Sequence, residues 1–321
     1  MNLQLILENL TNPALLFFVL GILAVRLKSD LEIPSNSSKF ISLYLLFAIG
    51  FKGGQELAHA QIGWQVVLIA LFGMAMATCI PLYSFFILKR KMSIENAGAI
   101  AAAYGSVSAV TFITSAEFLE FKAMEFGGHM VAVMALMEVP AIVVGVLLIK
   151  FFSQGENQPA MSMRSIVHHA LTNGSVLLIV GSLVIGYLAS DEQAMGIKPF
   201  TTDLFKGFMA LFLLDMGISS GKKIKDFIQL GWFPLVMAIA FPLVNGIVIA
   251  WLSQFVTHDI GDRFMLSILA ASASYIAVPA AMKIAVPKAN NGIFIPMALA
   301  ITFPFNITLG MPLYFWLCSV W

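Results

Sequence analysis

Residues 263–288 read RFMLSILAASASYIAVPAAMKIAVPK. The stretch is apolar and long enough to cross a bilayer, which takes roughly 20 such residues. Its centre does not suit an ordinary spanning helix. Ser272, Ala273, Ser274, Tyr275, Ala277 and Pro279 put small and hydroxylated residues, then a proline, near mid-membrane. Proline removes a backbone donor and disfavours helix in the residues before it. This predicts a break over 276–278 and a new half-helix starting near Pro279. Unpaired backbone in hydrocarbon is costly, so such a break exists only where it is buried in protein or lines a wet cavity.

About 166 residues earlier lies a partner, NAGAIAAAYGSVSAVTFITS, in which Ser106 and Ser108 fall on Ser272 and Ser274. Other landmarks repeat at nearly the same offset. Gln61-Ile62-Gly63-Trp64 matches Gln229-Leu230-Gly231-Trp232 at 168, Gly50 and Gly54 match Gly217 and Gly221 at 167, and Pro140 matches Pro304 at 164. Landmarks in one order at nearly one offset indicate an internal repeat.

Composition places this repeat in a membrane. The chain of 321 residues is 60% hydrophobic and only 11% charged, too little charge for a soluble core. The net charge of +1 carries no nucleic-acid signature. Cys79 and Cys318 lie in apolar runs and read as buried thiols rather than a disulfide or zinc site. The first basic residue is Arg26, so no cleaved signal peptide is expected.

The expected fold is an all-α integral membrane protein with ten transmembrane helices at 12–25, 39–54, 64–88, 93–112, 128–152, 174–189, 201–219, 231–255, 263–283 and 292–317. Residues 1–153 form the first five-helix repeat, 154–169 a cytoplasmic linker, and 170–321 the second repeat. Five is odd, so the second repeat enters inverted, with interrupted spans four and nine in matching places, a pattern of secondary transporters. Lys52, Lys122, Lys198 and Arg263 flank one side, thirteen basic residues flank the other, and Lys206 lies inside span seven. The positive-inside rule then puts both termini outside, in a multi-pass protein of the plasma (inner) membrane. The polar 153–169 segment, containing SQGENQP, reads as a hinge.

Two acids stand inside spans. Glu138 is central in span five, and Asp215 lies in span seven toward the cytoplasmic end, near Lys222. Intramembrane acids are functional candidates by default. The hydroxyl clusters, Ser106, Ser108 and Thr111 with Ser272, Ser274 and Tyr275, suit either close helix packing or a polar site. A half-helix start offers free N–H groups to an anion, and freed carbonyls and hydroxyls suit a hard cation. The substrate-binding candidates are therefore Ser106, Ser108, Ser272, Ser274 and Tyr275. The cation-binding candidates are Glu138, Thr111, Thr302 and Asn306, with Thr308 beside them. Lys52 reads as interfacial snorkelling. No histidine sits at mid-span beside a serine and no Walker motif occurs, which argues against an intramembrane hydrolase and an ATP-driven pump.

Four stretches resemble the sodium-dependent bicarbonate transporter family known from cyanobacteria: IGFKGGQELAH, AAYGSVSAVTF, MEVPAIVV and SASYIAVPAAMKIAVPKAN. The resemblance covers essentially the whole chain. It implies a ten-span inverted repeat, a homotrimer, and a core domain moving against a gate domain. It also implies sodium-coupled bicarbonate import, governed in some members by a PII-like protein at the cytoplasmic face. The family's anion site, between the broken spans, carries over to Ser106, Ser108, Ser272 and Ser274. Span nine departs from the family pattern, with Tyr275 where an aspartate follows the serines and the single Pro279 in place of two. The central cytoplasmic segment is also short.

The expected activity is thus symport, not enzymatic, of bicarbonate or another small inorganic or carboxylate anion, with sodium as coupling ion and no other cofactor. Moving a monoanion into a negative cell costs ~2.3 kcal/mol per 100 mV, and one accompanying sodium cancels that electrical term. Two further readings are a cation/proton antiporter using Glu138 and a membrane receptor or scaffold that transports nothing. The broken spans and inverted symmetry argue against the latter.

Overall fold

A long apolar run in lipid pairs its backbone groups only as a helix or a closed barrel. The computed structural model describes residues 13–59, 63–153, 163–228 and 231–321, and these are helical with no strand among them. The first half forms α1 (Pro13–Arg26), α2 (Ser35–His59), α3 (Trp64–Leu88), α4 (Ile94–Gly105), α5 (Ala109–Phe121) and α6 (His129–Phe152). Then come α7 (Met163–Leu171), α8 (Gly174–Leu188), α9 (Asp191–Lys198), α10 (Phe205–Ile228), α11 (Trp232–Leu252), α12 (Ile260–Ala270) and α13 (Ala277–Ala285). The last run passes from α14 (Asn291–Pro296) through wide π-helical turns at Met297–Thr302 and Asn306–Gly310 to α15 (Met311–Val320).

Among the described residues, six segments are long and apolar enough to cross a membrane: Trp64–Leu88, Ile94–Phe121, His129–Phe152, Asp191–Ile224, Trp232–Phe255 and Gly292–Val320. α1 and α8 are shorter apolar helices. The chain is a multi-pass membrane protein. Leu20 and Leu23 of α1, Leu71 and Phe86 of α3, Ile185 and Leu188 of α8, and Val244 and Trp251 of α11 expose apolar surface that lipid would cover. By contrast, α4 from Ala97 to Gly105 and α12 from Gly261 to Ala270 are buried on every face. The helices that stop short in the membrane are the ones wrapped in protein.

Glycines fix the closest helix pairs. α2 packs on α8 and α10 packs on α1. A Cβ at Gly54 would lie 2.1 Å from the Leu183 carbonyl oxygen, and one at Gly217 would lie 2.1 Å from that of Phe18. Gly186 and Gly21 meet the partner backbones from the other side, at Phe51 and Leu214. Gly50, Gly54 and Gly217 therefore let two backbones touch where a methyl group has no room, while a Cβ at Gly221 would meet the Val25 side chain at 3.1 Å. Of the remaining landmarks, Gly63 and Gly231 precede α3 and α11, while Gln61, Ile62, Gln229 and Leu230 lie outside the described residues. Pro140 sits inside an unbroken α6, and Pro304 lies between the two wide turns of the last span.

Two sequence expectations shift. The second break runs from Ala271 to Ile276, earlier than 276–278, because Pro279 is accommodated in the first turn of α13, where no intrahelical N–H bond is needed. Residues 154–162 of the expected hinge lie outside the described residues, while 163–169 belong to α7, which packs on α6, α8 and α13. Lys206, within the long apolar segment Asp191–Ile224, has an exposed side chain at the start of α10 that pairs with Glu120 at 3.0 Å.

Substituting Gly54→Ala or Gly217→Ala forces a methyl group into a partner backbone and should cost about 1–3 kcal/mol by overpacking. Gly181→Ala, with nothing within 4 Å of its Cβ position, should be neutral. Thermal unfolding of the purified variants in detergent checks the contrast.

Candidate functional site

The first break is built by neighbours that end α4. A Cβ at Gly105 would lie 2.1 Å from the Pro81 ring of α3, so only glycine fits that close approach. Ser106 then turns extended. Ser108 caps α5, its hydroxyl accepting from the Thr111 N–H at 3.1 Å. The second break has the same plan. Its equivalent serine, Ser274, accepts from the Val278 N–H at 3.3 Å in the first turn of α13. Two serines related by the repeat thus each accept an N–H from the first turn of the half-helix that follows, Ser108 as the N-cap of α5 and Ser274 from two residues before the N-cap of α13.

The breaks also bond to each other. The Ser108 N–H donates to the Ser272 hydroxyl at 3.0 Å, and that hydroxyl donates to the Leu269 carbonyl at 2.8 Å. The Ser274 N–H donates to the Ala103 carbonyl at 2.8 Å. The carbonyl end of α12 is closed by amides: Asn245 donates to Ala270 at 3.1 Å and Asn306 to Ala271 at 2.8 Å. Thr302 donates to the Ala238 carbonyl at 2.7 Å, which leaves Tyr104 as the donor in its 2.7 Å contact with Thr302. Thr308 donates to the Pro304 carbonyl within its own helix at 2.7 Å.

Between these half-helices lies a cavity of about 30 Å³, lined by Ser108–Val110 of the α5 start and Ser274–Ala277 of the α13 start. That is room for a water molecule or two. Glu138 of α6, Ser42 and Leu46 of α2, Ser175 of α8 and Phe212 of α10 complete its wall with Val107 and Ile113. Among the described residues, no lysine or arginine lines it. Positive potential comes from the N-terminal ends of α5 and α13, and Glu138 adds a carboxyl group to the wall. The Glu138 Oε2 is buried without a hydrogen-bond partner.

The structure therefore brings Ser108, Ser274, Tyr275 and Glu138 to one cavity wall. Ser272 is buried behind it as the bolt between the breaks, and Ser106 is buried with an unpartnered hydroxyl. Thr111 sits in the first turn of α5. Thr302 and Asn306 support α11 and α12 from the last span, on bonds of their own. Sequence reasoning missed Ser42, Ser175 and Phe212. Ser42 had a faint signal, being one of the hydroxyls Ser35, Ser38 and Ser42 spaced by three and four residues along α2; the other two had none.

Two wider spaces flank the cavity. One of 370 Å³ is lined by Ser35 and Ser38 of α2 with Asp215 and Lys222 of α10. The other, of 730 Å³, is lined by Ile49, Lys52, Gly53 and Glu56 of α2 with Phe205 and Lys206 of α10. Residues 35, 38, 42, 46, 49, 53 and 56 form one face of α2, at three- and four-residue spacing. That single face borders all three spaces in turn, over about 31 Å at 1.5 Å per residue, which is bilayer thickness.

An all-helical membrane protein with two facing helix breaks and a small, mostly apolar cavity between wider vestibules fits the broad class of transporters. Over residues 13–319 the chain matches the Na+-dependent bicarbonate transporter superfamily, and it belongs to that family. At family level it is a sodium-dependent bicarbonate transporter, and the family is not an enzyme class. No curated protein sequence matches the chain.

Replacing Ser272 by alanine strands the buried Ser108 N–H and should cost about 1–3 kcal/mol of stability. Ser106→Ala removes a hydroxyl with no partner and should be neutral or slightly stabilising. Thermal denaturation without substrate separates the two.

Proposed function

We propose that the chain is a secondary active transporter that imports bicarbonate or a similarly small anion together with sodium, by alternating access. The observation that carries the reading is the cavity: two helix starts with serine acceptors and an unpartnered buried carboxylate share one wall, between two larger vestibules. Helix starts favour an anion. A carboxylate with no basic neighbour in the same wall needs a cation or a proton. A sodium ion between Glu138 and the anion would satisfy both.

In this reading the spans are α1, α2, α3, α4 with α5, and α6, then α8, α10, α11, α12 with α13, and α14 through α15. They form two inverted repeats, 1–153 and 170–321, joined through 154–169. The reciprocal pairing of α2 with α8 and of α1 with α10, each through repeat-related glycines, supports that symmetry. These four helices would form the gate domain, and the broken helices with α3, α6, α11 and α15 the core that moves against it. Ser108, Ser274 and Tyr275 would contact the anion, with Ser272 holding the breaks together and the buried, unpartnered Ser106 hydroxyl in the first break. Glu138 would hold sodium, with Thr111 on the facing turn and Thr302 and Asn306 fixing the last span behind it. The basic residues put both termini outside, in the plasma membrane. Homotrimer formation and a PII-like regulator at the cytoplasmic face are expected from the family.

The second reading, a cation/proton antiporter using Glu138, draws on the same unpartnered carboxylate. Uptake into proteoliposomes separates the two. Symport gives labelled bicarbonate accumulation only with an inward sodium gradient; antiport gives sodium-driven proton exchange without anion. A panel of bicarbonate, acetate and larger carboxylates then identifies the anion. Under symport, Glu138→Gln should fold normally and lose most of its sodium dependence. Ser274→Ala should weaken anion affinity roughly tenfold or more, from losing a charge-assisted hydrogen bond of ~1.5–3 kcal/mol. Wild-type sodium activation in Glu138→Gln would remove that residue from the site.

A further inference from the structure

α3 packs on α6, and the C-terminal ends of the two helices form one corner. Lys89, the residue after α3, sets its Nζ 4.4 Å from the ring centre of Phe86, 4.1 Å from that of Phe152 on α6, and 5.7 Å from that of Phe85. Ring faces attract a cation, so the three rings hold this ammonium at the corner. Arg90 and Lys91 follow in the turn and Lys150 stands in the last turn of α6, all three exposed. Among the described residues none of the three is in an ion pair. Residues 85–95 and 150–153 together carry four basic residues and one acid, Glu95 in the first turn of α4. The positive-inside rule puts this corner on the cytoplasmic side.

The charged corner is continuous with apolar surface. Leu71, Ala75, Cys79, Leu82 and Phe86 are exposed at spacings of three and four residues, one stripe on α3 that runs to Lys89 and Arg90. Phe151 and Phe152 add exposed rings at the end of α6. A soluble acidic partner would match the charges and leave the stripe uncovered. A lipid matches both, with acyl chains along the stripe and a phosphate at the basic turn. The repeat supplies a counterpart on the outer face. At offset 168, Lys89, Arg90 and Lys91 correspond to Thr257, His258 and Asp259, and at 164 Lys150 corresponds to Tyr314. The aromatic surface persists there, with exposed Trp251 and Phe255 5.4 Å apart. The positive charge does not: the next lysine or arginine, Arg263, is buried and bonded to main-chain carbonyls. Rings at both corners suit any bilayer interface, whereas exposed cations at one corner alone call for an anion there.

We propose that the corner of α3 and α6 is a binding site for an anionic phospholipid. Arg90, Lys91 and Lys150 hold its phosphate, Lys89 adds its charge from its place over the rings, and the acyl chains lie along the α3 stripe. The site goes beyond the transport reading and stands apart from it, because it needs neither sodium nor bicarbonate.

The experiment follows thermal unfolding of the purified full chain in neutral detergent, with phosphatidylglycerol or phosphatidylcholine added at equal concentration. A ligand that binds only the folded state raises the midpoint. Phosphatidylglycerol should raise it by several degrees more than phosphatidylcholine, and the difference should shrink in high salt. Arg90→Gln, Lys91→Gln and Lys150→Gln together should remove most of that difference and leave the midpoint in phosphatidylcholine unchanged. Replacing Arg26, Lys28 and Lys39, three exposed cations around the junction of α1 and α2, by glutamine should leave the difference intact. Should the corner triple variant not fold, Arg90→Gln with Lys91→Gln is held to a loss of at least half. Wild type without a preference for phosphatidylglycerol overturns the proposal, as does a corner variant that keeps the full preference. An equal loss on removing the α1–α2 charges overturns it too, since the effect would then be one of net charge. Soluble glycerol phosphate raising the midpoint as much as the lipid does the same, because the acyl stripe would have no part.

Discussion

A helix interrupted inside a membrane leaves N–H and C=O groups that lipid cannot bond. In this protein the two interruptions answer each other. Ser272 takes the Ser108 N–H, Ala103 takes the Ser274 N–H, and Asn245 and Asn306 close the carbonyl end of α12. Neither break would be stable alone at that depth. Their mutual pairing also brings the starts of α5 and α13 together, so the solution to the backbone problem is at the same time the construction of the central cavity.

Other buried polar contacts hold the broken helices to their neighbours. Arg263, 5% exposed, has no carboxylate partner among the described residues; it donates to the carbonyls of Cys318 at 2.9 Å and Ala250 at 3.0 Å, near the C-terminal ends of α15 and α11. A cation suits that end of a helix. The sequence marked Arg263 only as an interfacial charge. Asp262, beside it, accepts from the Gly127 N–H at 2.8 Å and lies 3.1 Å from His129, which ties the start of α12 to the start of α6. α1 and α10, and α2 and α8, meet through glycine-to-backbone contacts, with polar bonds added where Gln55 donates to the Gly186 and Ala189 carbonyls and Ser38 to Asp215.

Tyr275, where the family pattern has an aspartate, illustrates how a departure reads once its surroundings are known. Its neighbours Ser274 and Ala277 line the cavity with it, and its hydroxyl reaches Met216 on α10 and interacts with the Ser108 side chain across the cavity. The carboxylate in the cavity wall comes from α6, as Glu138. Asp215, set beside Tyr275 by one residue of α10, is turned toward Ser38 and the vestibule.

Much of this was legible in the residues. Apolar runs, a proline among serines and a set of landmarks at one offset defined a helical membrane protein with two equivalent breaks, and the mid-span Glu138 marked its own wall. These features are local, or repeat along the chain, so periodicity and spacing reveal them. Which serine faces the cavity was not legible: Ser272 and Ser274 have the same chemistry two residues apart, and only the packing of one break against the other makes the first a bolt and the second an acceptor at the start of α13. Ser42, Ser175 and Phe212 enter the wall because α2, α8 and α10 lie against the breaks. The Ser38–Asp215 bond joins residues 177 apart in the chain. Contacts at that separation are set by how helices cross in three dimensions, and no local pattern in the sequence encodes the crossing.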